Sequence, residues 1–335
     1  MLQPGLILAV GPNGAGKTNL LESLHVATQG FSPRTRSDAQ LIRFGEAGAR
    51  VAVAGEHGGA PVEIEVTLNT GEAKRARLNG APLRAAEELR SRLPTLVFTP
   101  DRLAIVKGGP AVRRAYFDRT LGRLFPSRAS ATTDYASTLA QRNGALRRVA
   151  AGHSPRDALD PWTHQLAGLG RVLVDVRREL VELLSPAFEA SAAEFRLEGA
   201  ELRYEGEPTT VEQLDVRLEQ DLARGFTGRG PHLHDVAIVA GDRDLRSFGS
   251  QGEQRLAVLS LLLAEADLLA DRGPPPLLLL DDVLSELDPE RRAILATRIR
   301  RPGAQTFLTA TSSAALPGDA DVLVQVSPGQ AVVTA

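Results

Sequence analysis

The chain has 335 residues, 43% of them hydrophobic, and a net charge of −2 at pH 7. This length and apolar content suffice for one large or two ordinary hydrophobic cores, which excludes an intrinsically disordered chain. The absence of cysteine excludes disulfides, thiolate metal sites and a cysteine nucleophile. No apolar run approaches the ~18 residues of a membrane span, and the start lacks the basic residues of a signal peptide, so we expect a cytoplasmic protein without a membrane partner.

The first two predicted elements flank a glycine-rich loop. The apolar run 6–10 predicts a β-strand, residues 19–27 predict a helix, and the loop between them matches the pattern G-x-x-x-x-G-K-[ST]. In such a loop, backbone N–H groups and the helix N-terminus bind phosphate, the lysine contacts the terminal phosphates and the last hydroxyl binds Mg²⁺. The sequence therefore predicts a nucleoside-triphosphate site that contains Gly11, Pro12, Asn13, Gly14, Ala15, Gly16, Lys17, Thr18 and Asn19.

A β layer and then a helical region follow. Three strand-like stretches are separated by turn residues, and Asn79-Gly80 is the best hairpin indication among them. After Gly108-Gly109-Pro110 the apolar residues take helical spacing, which predicts that a mainly helical lobe begins here. The predicted elements are strands at 50–54, 62–68 and 76–83, a helix at 85–92, a strand at 95–98, and helices at 113–124, 134–150 and 161–195.

The segment 102–178 has an uneven charge. It contains fourteen Lys and Arg but only five Asp and no Glu, a net charge of +9. One interpretation is a solvated helical surface, which is what most charge runs are. The other is a basic arm that follows the phosphate backbone of a nucleic acid.

The last predicted elements include a strand that ends in two further candidate site residues, Asp281 and Asp282. These elements are strands at 195–197 and 201–204, a helix at 211–224, a hairpin of 235–239 and 243–248, a helix at 251–269, and strands at 277–280, 305–308 and 322–326. The apolar strand 277–280 ends in Asp281-Asp282, a Walker B pattern. We predict that Asp281, with Thr18, binds Mg²⁺ and that Asp282 orients or deprotonates the attacking water.

Two further helix starts have both a structural and a functional interpretation. Ser250 and Glu253 fit the capping box S-x-x-E, and the same helix N-terminus, with Ser250 and Gly252, is also typical of a second phosphate contact. Two such helix ends make sense if one nucleotide lies between two subunits. Asp288-Pro289 is equally typical of an ordinary helix cap with proline in the first turn.

These residues resemble the RecF family of bacterial recombination-mediator ATPases, a branch of the ABC/SMC-like ATPases related to Rad50. The resemblance runs along nearly the whole chain, and residues 248–255 and 281–288 are its most specific segments. It implies an α/β fold, a two-lobed ABC/SMC-type ATPase head without a long coiled coil. The ATPase lobe would comprise residues 1–110 and 246–335, and the mainly helical second lobe residues 111–245.

The resemblance also implies a function. It suggests an ATP-dependent homodimer that binds DNA near single-strand/double-strand junctions and, with RecO and RecR, helps to load RecA at gaps. ATP would lie between the loop of one subunit and Ser250 of the other, and hydrolysis would be slow, as in a switch. Lys17, Thr18, Asp281 and Asp282 carry over as the nucleotide, metal and water-activating positions.

Two departures from related patterns bear on the alternatives. Leu233 and His234 stand where the family usually has arginine and aspartate, and Thr309 stands where transporter ATPases place a histidine. The missing histidine argues against a transporter ATPase subunit, and Asp281-Asp282 argues against a DNA clamp that binds ATP without hydrolysis. A Rad50-like tether is excluded because the sequence has no long heptad array.

Overall fold

The computed structural model describes residues 5–35, 37–83, 89–90 and 93–334. It divides into two compact units: unit 1 contains residues 1–103 and 259–335, and unit 2 contains residues 104–258. The sequence placed the lobe boundaries at residues 110 and 246, whereas the contacts within the chain place them at 103 and 259. The second boundary falls inside a helix, which begins in unit 2 and ends in unit 1.

The described residues form helices and strands in both units. The helices are α1 Lys17–Gln29, α2 Ala104–Lys107, α3 Pro110–Leu124, α4 Ser130–Ala150, α5 Asp160–Glu194, α6 Val211–Val216, α7 Leu218–Arg224, α8 Leu245–Phe248, α9 Gln251–Ala270 and α10 Pro289–Arg298. The strands are β1 Gly5–Val10, β2 Gly48–His57, β3 Ala60–Asn69, β4 Arg75–Leu78, β5 Ala81–Pro82, β6 Thr95–Phe98, β7 Ala200–Glu205, β8 Asp235–Ala240, β9 Arg243–Asp244, β10 Leu277–Leu280, β11 Gln305–Ala310, β12 Val322–Ser327 and β13 Gln330–Val333.

The larger sheet of unit 1 has six strands in the order β13-β12-β1-β11-β10-β6. All neighbours are parallel except β12 and β13. Strands β1, β10 and β11 are almost wholly buried, as is typical of parallel strands covered on both faces. The carboxyl ends of these three neighbours therefore meet at one edge of the sheet, where α/β proteins bind ligands. Strand β13 was not predicted, because this exposed edge strand has no buried apolar residues.

The smaller sheet of unit 1 is antiparallel, with the order β2-β3-β4-β5. Its inner face packs in one apolar cluster with Val26 and Ala27 of α1. The predicted hairpin is confirmed: β4 and β5 are joined by Asn79 and Gly80, which have φ angles of 49° and 81°. Positive φ at both central residues is the geometry that favours Asn-Gly. The helix predicted at 85–92 lies largely outside the described residues.

Unit 2 is mainly helical, as predicted, with a small sheet of order β7-β8-β9. Its longest helix, α5, packs on α4, so the described part of the chain has no long coiled coil. The structure corrects three boundaries. Residues 195–197 end a helix instead of forming a strand, residues 211–224 form two helices that meet at Arg217, and the strand predicted at 243–248 ends at Asp244, whose side chain caps α8.

The predicted strand at 195–197 was wrong for a local reason. Phe195 and Leu197 are buried and alternate with exposed Arg196, which is a strand-like pattern. However, Arg196 has a φ of 60°, and the Leu197 N–H donates to Ala192 O. These are features of a helix C-cap, in which one residue takes the left-handed conformation. Strand β7 pairs with β8 instead.

Candidate nucleotide-binding site

The glycine-rich loop joins β1 to α1 in unit 1. It requires glycine for two reasons: a positive φ at Gly16 and close backbone packing at Gly11. Gly16, the N-cap of α1, has a φ of 105°, where other residues are strained, and a Cβ there would meet nothing within 4 Å. Gly11 lies under β12, where a Cβ would stand 2.2 Å from Val326 O. The loop thus packs on the sheet at its start and is open around Gly16.

The first turn of α1 is available to an anion. Its N-cap, Gly16, has no side chain that could accept from the first N–H groups, and the first turn contains no acidic residue. The unsatisfied N–H groups and the helix dipole give such a helix end a partial positive charge. This end of α1 therefore fits a phosphate group.

The side chain of Lys17 lies inside the loop and is only 8% exposed. Its Nζ donates to Gly11 O at 2.7 Å and to Pro12 O at 3.0 Å. Among the described residues, no carboxylate forms an ion pair with it. The ammonium group is therefore held by neutral carbonyls, and its charge is not compensated, which suits a phosphate ligand.

Asp281, at the end of β10, joins the loop to the neighbouring strand β11. Its Oδ1 accepts from Thr18 Oγ1 at 3.1 Å and from Thr309 Oγ1 at 2.7 Å. The residue is 5% exposed, and no cationic side chain pairs with it in the described part of the chain. A buried carboxylate without a cationic partner is costly. Oxygen ligands from an acid and a hydroxyl are what Mg²⁺ prefers, so this pair fits the metal that the sequence predicted.

Asp282 follows in a left-handed conformation, with a φ of 49°. Its N–H donates to Thr309 Oγ1 at 2.9 Å, and its carbonyl accepts from Ser285 Oγ at 2.8 Å. Such a conformation costs of order 1–3 kcal/mol outside glycine, and the two hydrogen bonds hold it in place. Its half-buried carboxylate has no hydrogen bond or ion pair to the described residues, so it is available to orient a water molecule.

Thr309 is a candidate site residue that the motifs missed. The sequence singled it out only as the replacement for a histidine. Register explains its role: Leu280 of β10 pairs with Leu308 of β11, so Asp281 and Thr309 are level at adjacent strand ends. The available signal was a threonine directly after the predicted strand 305–308; in the structure β11 extends to Ala310, so Thr309 lies within it. This signal could be interpreted only with the order of the strands, which the sequence does not reveal.

Ser250 and Gly252 belong to unit 2 and start α9. The capping box is confirmed: Ser250 N donates to Glu253 Oε2 at 2.7 Å, and Glu253 N donates to Ser250 Oγ at 3.2 Å. Ser250 is exposed, and the preceding Phe248 is 70% exposed. The buried side chain of Gln254 also holds this turn, because its Nε2 donates to Leu245 O at 2.8 Å. The phosphate contact of Ser250 stays a prediction.

The helix cap at Asp288 is also confirmed. Its side chain accepts from Arg291 N at 2.9 Å, and Pro289 is the first residue of α10. This backbone hydrogen bond, with the nearby guanidinium of Arg291, lowers the pKa of the Asp288 carboxyl. The residue therefore has a structural role that explains its presence.

Comparison with known proteins decides the family. The model for the RecF/RecN/SMC N terminal domain matches residues 1–334. A protein of Heliobacterium modesticaldum named DNA replication and repair protein RecF is 37% identical over 330 residues, which cover 92% of this chain and 87% of that protein. A RecF of Myxococcus xanthus is also 37% identical, over 98% of this chain and 91% of its own. The chain belongs to the RecF family.

Solved structures agree with this assignment. A structure of the recombination mediator protein RecF with ATP, described as part of the RecFOR pathway, is similar with a TM-score of 0.87 and 29% identity, over 100% of this chain and 92% of that chain. The ATPrS form gives a TM-score of 0.86 over 100% and 93%. An Smc head bound to a domain of ScpA, at 18% identity and a TM-score of 0.57 over 98% and 89%, shows the shared fold alone. The two-lobed ABC/SMC-type head is thereby confirmed.

The charge of unit 2 as a whole differs from that of residues 102–178 alone. Unit 2 carries 21 Lys and Arg and 21 Asp and Glu, so it is neutral as a whole. The net charge of +9 over residues 102–178 is therefore offset by acidic residues elsewhere in unit 2, and both interpretations of the segment stay predictions. Six of its arginines form ion pairs in the described structure: Arg113 with Asp235, Arg128 with Glu179, Arg142 with Asp221, Arg156 with Glu219, Arg177 with Asp118 and Arg178 with Glu207.

None of the described helices is both long and apolar enough to span a bilayer.

Proposed function

We propose that this protein is an ATP-dependent DNA repair and recombination mediator of the RecF type, in which a weak ATPase controls dimerisation. The observation that carries the proposal is the contact of Thr18 Oγ1 with Asp281 Oδ1 at 3.1 Å. It joins the glycine-rich loop to the Walker B acid across 263 residues of sequence. The RecF structures described with ATP and ATPrS support ATP as the nucleotide.

Each residue of the unit 1 site has a proposed role. Lys17 binds the terminal phosphates, and the N-terminal end of α1 binds them through its free N–H groups. Thr18 and Asp281 hold Mg²⁺, which neutralises phosphate charge when bound. Asp282 orients the attacking water as a general base. Thr309 positions both acids through its hydroxyl.

A second copy of the chain would complete the site. Ser250 is exposed at the N-terminus of α9, in a turn fixed by its capping box. We propose that this helix end contacts the ATP bound by Lys17 of the partner. A homodimer with two-fold symmetry would then contain two such composite sites. Dimerisation would require ATP, because the nucleotide lies in the interface.

DNA is the proposed partner. Curated relatives are named DNA replication and repair proteins, and the solved relatives are described as recombination mediators of the RecFOR pathway. We propose binding at single-strand/double-strand junctions of gapped DNA in the cytoplasm, with RecO and RecR as partners in loading RecA. The neutral second unit argues for contacts made by a few unpaired arginines, not by a broad basic surface.

Sedimentation velocity tests the proposal as a whole. The protein alone, with ATP and Mg²⁺, and with gapped DNA added should sediment as a monomer, a dimer and a dimer–DNA complex, respectively. A matched series with ADP should give monomers without bound DNA. Sedimentation that is independent of ATP, or DNA binding that is equal with ADP and ATP, would contradict the switch.

A further inference from the structure

A short loop in unit 2, residues 225–230, is pinned to the core by an unusual number of polar contacts. The N–H and Oγ1 of Thr227 both donate to Asn143 Oδ1 at 2.8 Å, and Gly228 N donates to Asp221 Oδ1 at 3.0 Å. Below them the fully buried Arg142 donates to Thr227 Oγ1 at 2.7 Å and to Asp221 Oδ2 at 3.1 Å. Charge-assisted hydrogen bonds in a buried network fix this backbone. We call residues 225–230 the Phe226 loop.

The loop displays an aromatic ring. Phe226 is 49% exposed, although Thr227 beside it is buried. In the described structure its ring makes no contact with another aromatic ring. The exposure of this ring does not stabilise the fold, because burial of an aromatic side chain lowers the free energy of the folded state. An aromatic face held in this way can stack on a planar ligand without a large entropic cost.

Arginines without an ion pair lie in and beside the Phe226 loop. Arg224 ends α7, Arg229 lies in the loop, and Arg147 of α4 reaches the loop, where its Nη1 is 3.4 Å from Gly225 O. Arg148 follows Arg147 on α4, and all four are exposed. None of them forms an ion pair with a described carboxylate, in contrast to Arg128, Arg142 and Arg156. The site therefore combines an aromatic face with uncompensated positive charge.

We infer that the Phe226 loop binds single-stranded DNA, with one base stacked on Phe226 and the adjoining arginines on the phosphates. This inference rests on the proposed DNA-binding function and names the part of the surface that takes the unpaired strand. An exposed aromatic ring on a surface with uncompensated arginines is the combination used for single strands, whose bases have free faces. Bases in a duplex are stacked on each other, so a duplex would use the arginines alone.

The test compares two DNA probes on the full chain with ATP and Mg²⁺: fluorescein-labelled oligo(dT) and a duplex of equal length. Phe226→Leu keeps an apolar side chain but removes the stacking face, so it should weaken oligo(dT) binding about fivefold or more. Its effect on the duplex should be less than about twofold. Phe44→Leu is the matched control, since Phe44 is fully exposed in unit 1 and should change neither affinity.

A second variant reports stacking directly and guards against a folding defect. Trp162 is the sole tryptophan of the chain, so Phe226→Trp combined with Trp162→Phe leaves one indole, at the loop. Oligo(dT) should quench its fluorescence and the duplex should not, because quenching requires base contact. In addition, Arg147→Gln should reduce the slope of log affinity against log salt by ~0.7 for oligo(dT). Arg171→Gln, on the exposed side of α5, should leave that slope unchanged.

The outcomes separate the inference from the function on which it rests. ATP-dependent DNA binding that Phe226→Leu leaves unchanged, or weakens equally for both probes, would overturn the stacking site and leave the proposed function intact. Absence of quenching by bound oligo(dT) would also overturn the site. If the parental chain binds no DNA with ATP, both the site and the function are wrong.

Discussion

The hydroxyl of Thr309 lies between the two acids of the Walker B strand. It donates to Asp281 Oδ1 at 2.7 Å and accepts from the Asp282 N–H at 2.9 Å. One side chain on β11 thus holds both the carboxylate of Asp281, the proposed metal ligand, and the left-handed backbone of Asp282, the proposed water-orienting residue. The arrangement follows from strand register: Leu280 pairs with Leu308, so Asp281, directly after β10, is level with Thr309, the penultimate residue of β11.

The first prediction tests this positioning role. Thr309→Val keeps the shape of the side chain but leaves the Asp282 N–H without its acceptor, which costs about 1–3 kcal/mol in a buried place. We expect a lower thermal midpoint, slower ATP hydrolysis and a higher Mg²⁺ requirement. Thr309→Ser keeps the hydroxyl and should recover most of the activity. Equal Mg²⁺ dependence in Thr309→Val and the parental protein would exclude the positioning role.

Lys17 is predicted to be essential for nucleotide binding. Lys17→Met removes the ammonium group that no described carboxylate compensates, so ATP affinity should fall by at least about tenfold and ATP-driven dimerisation should be lost. Equilibrium binding of a fluorescent ATP analogue measures the first effect, and sedimentation measures the second. Lys107→Met makes the same change at an exposed lysine of unit 2 and serves as the control. Unchanged ATP affinity in Lys17→Met would refute the assignment of the loop.

Asp282 should act after nucleotide binding. Asp282→Asn leaves Asp281 to hold the metal but removes the carboxylate that orients water, so hydrolysis should slow by about 100-fold or more. ATP should then trap the dimer, visible by sedimentation. Asp242→Asn, in the exposed β8–β9 turn, is the matched control. Hydrolysis at the parental rate in Asp282→Asn would place the base elsewhere. A parental protein without any single-turnover hydrolysis would favour the non-hydrolysing clamp.

His234 predicts a pH dependence of stability. Burial, aided by the nearby positive charge of Arg177, lowers its pKa from 6.5 to about 4, and Tyr204 Oη lies 2.8 Å from its Nδ1. The unfolded chain therefore binds a proton at His234 before the folded chain does, and stability falls as the pH drops from about 6.5 to 4.

Replacement of this histidine should reduce the acid sensitivity. We expect His234→Asn to lose less in thermal midpoint than the parental protein between about pH 7.5 and pH 5. His153→Asn removes an exposed histidine and should keep the parental profile. Parallel pH profiles for the parental protein and His234→Asn would show that this group does not contribute.

The parts of the site that are local in sequence could be predicted. The glycine-rich loop, Asp281-Asp282 and the capping box at Ser250 each occupy a few consecutive residues, and their chemistry depends on fixed spacing. The structure brings the loop and Asp281 together as the motifs required. The role of Thr309 could not be predicted, because it depends on which strand lies beside β10.

The ion pairs of unit 2 show more clearly what could not be predicted from the sequence. From the sequence, residues 102–178 look strongly basic, yet Arg142 is fully buried against Asp221, 79 residues further on. Such pairs are set by how α4 and α7 pack, and no short pattern records them. Only after these pairs are assigned do Arg147 and Arg148 stand out as unpaired.

The central claim is that ATP lies between Lys17 of one subunit and Ser250 of the other. A Lys17→Met homodimer and a Ser250→Arg homodimer would each have two damaged sites, because every composite site would contain one lesion. In a heterodimer of the two variants, both lesions fall in the same site and the other site is intact. The expected behaviour of a mixture therefore differs from that of either parent.

The decisive measurement is the ATPase rate of an equimolar mixture, with heterodimers verified by two different affinity tags. Random exchange makes half of the dimers heterodimers, each with one good site of two, so the mixture should recover about a quarter of the parental rate. If Ser250 acted within its own subunit, every heterodimer would lack a lysine in one site and a serine in the other. Heterodimers that form but remain as inactive as either parent would contradict the composite site.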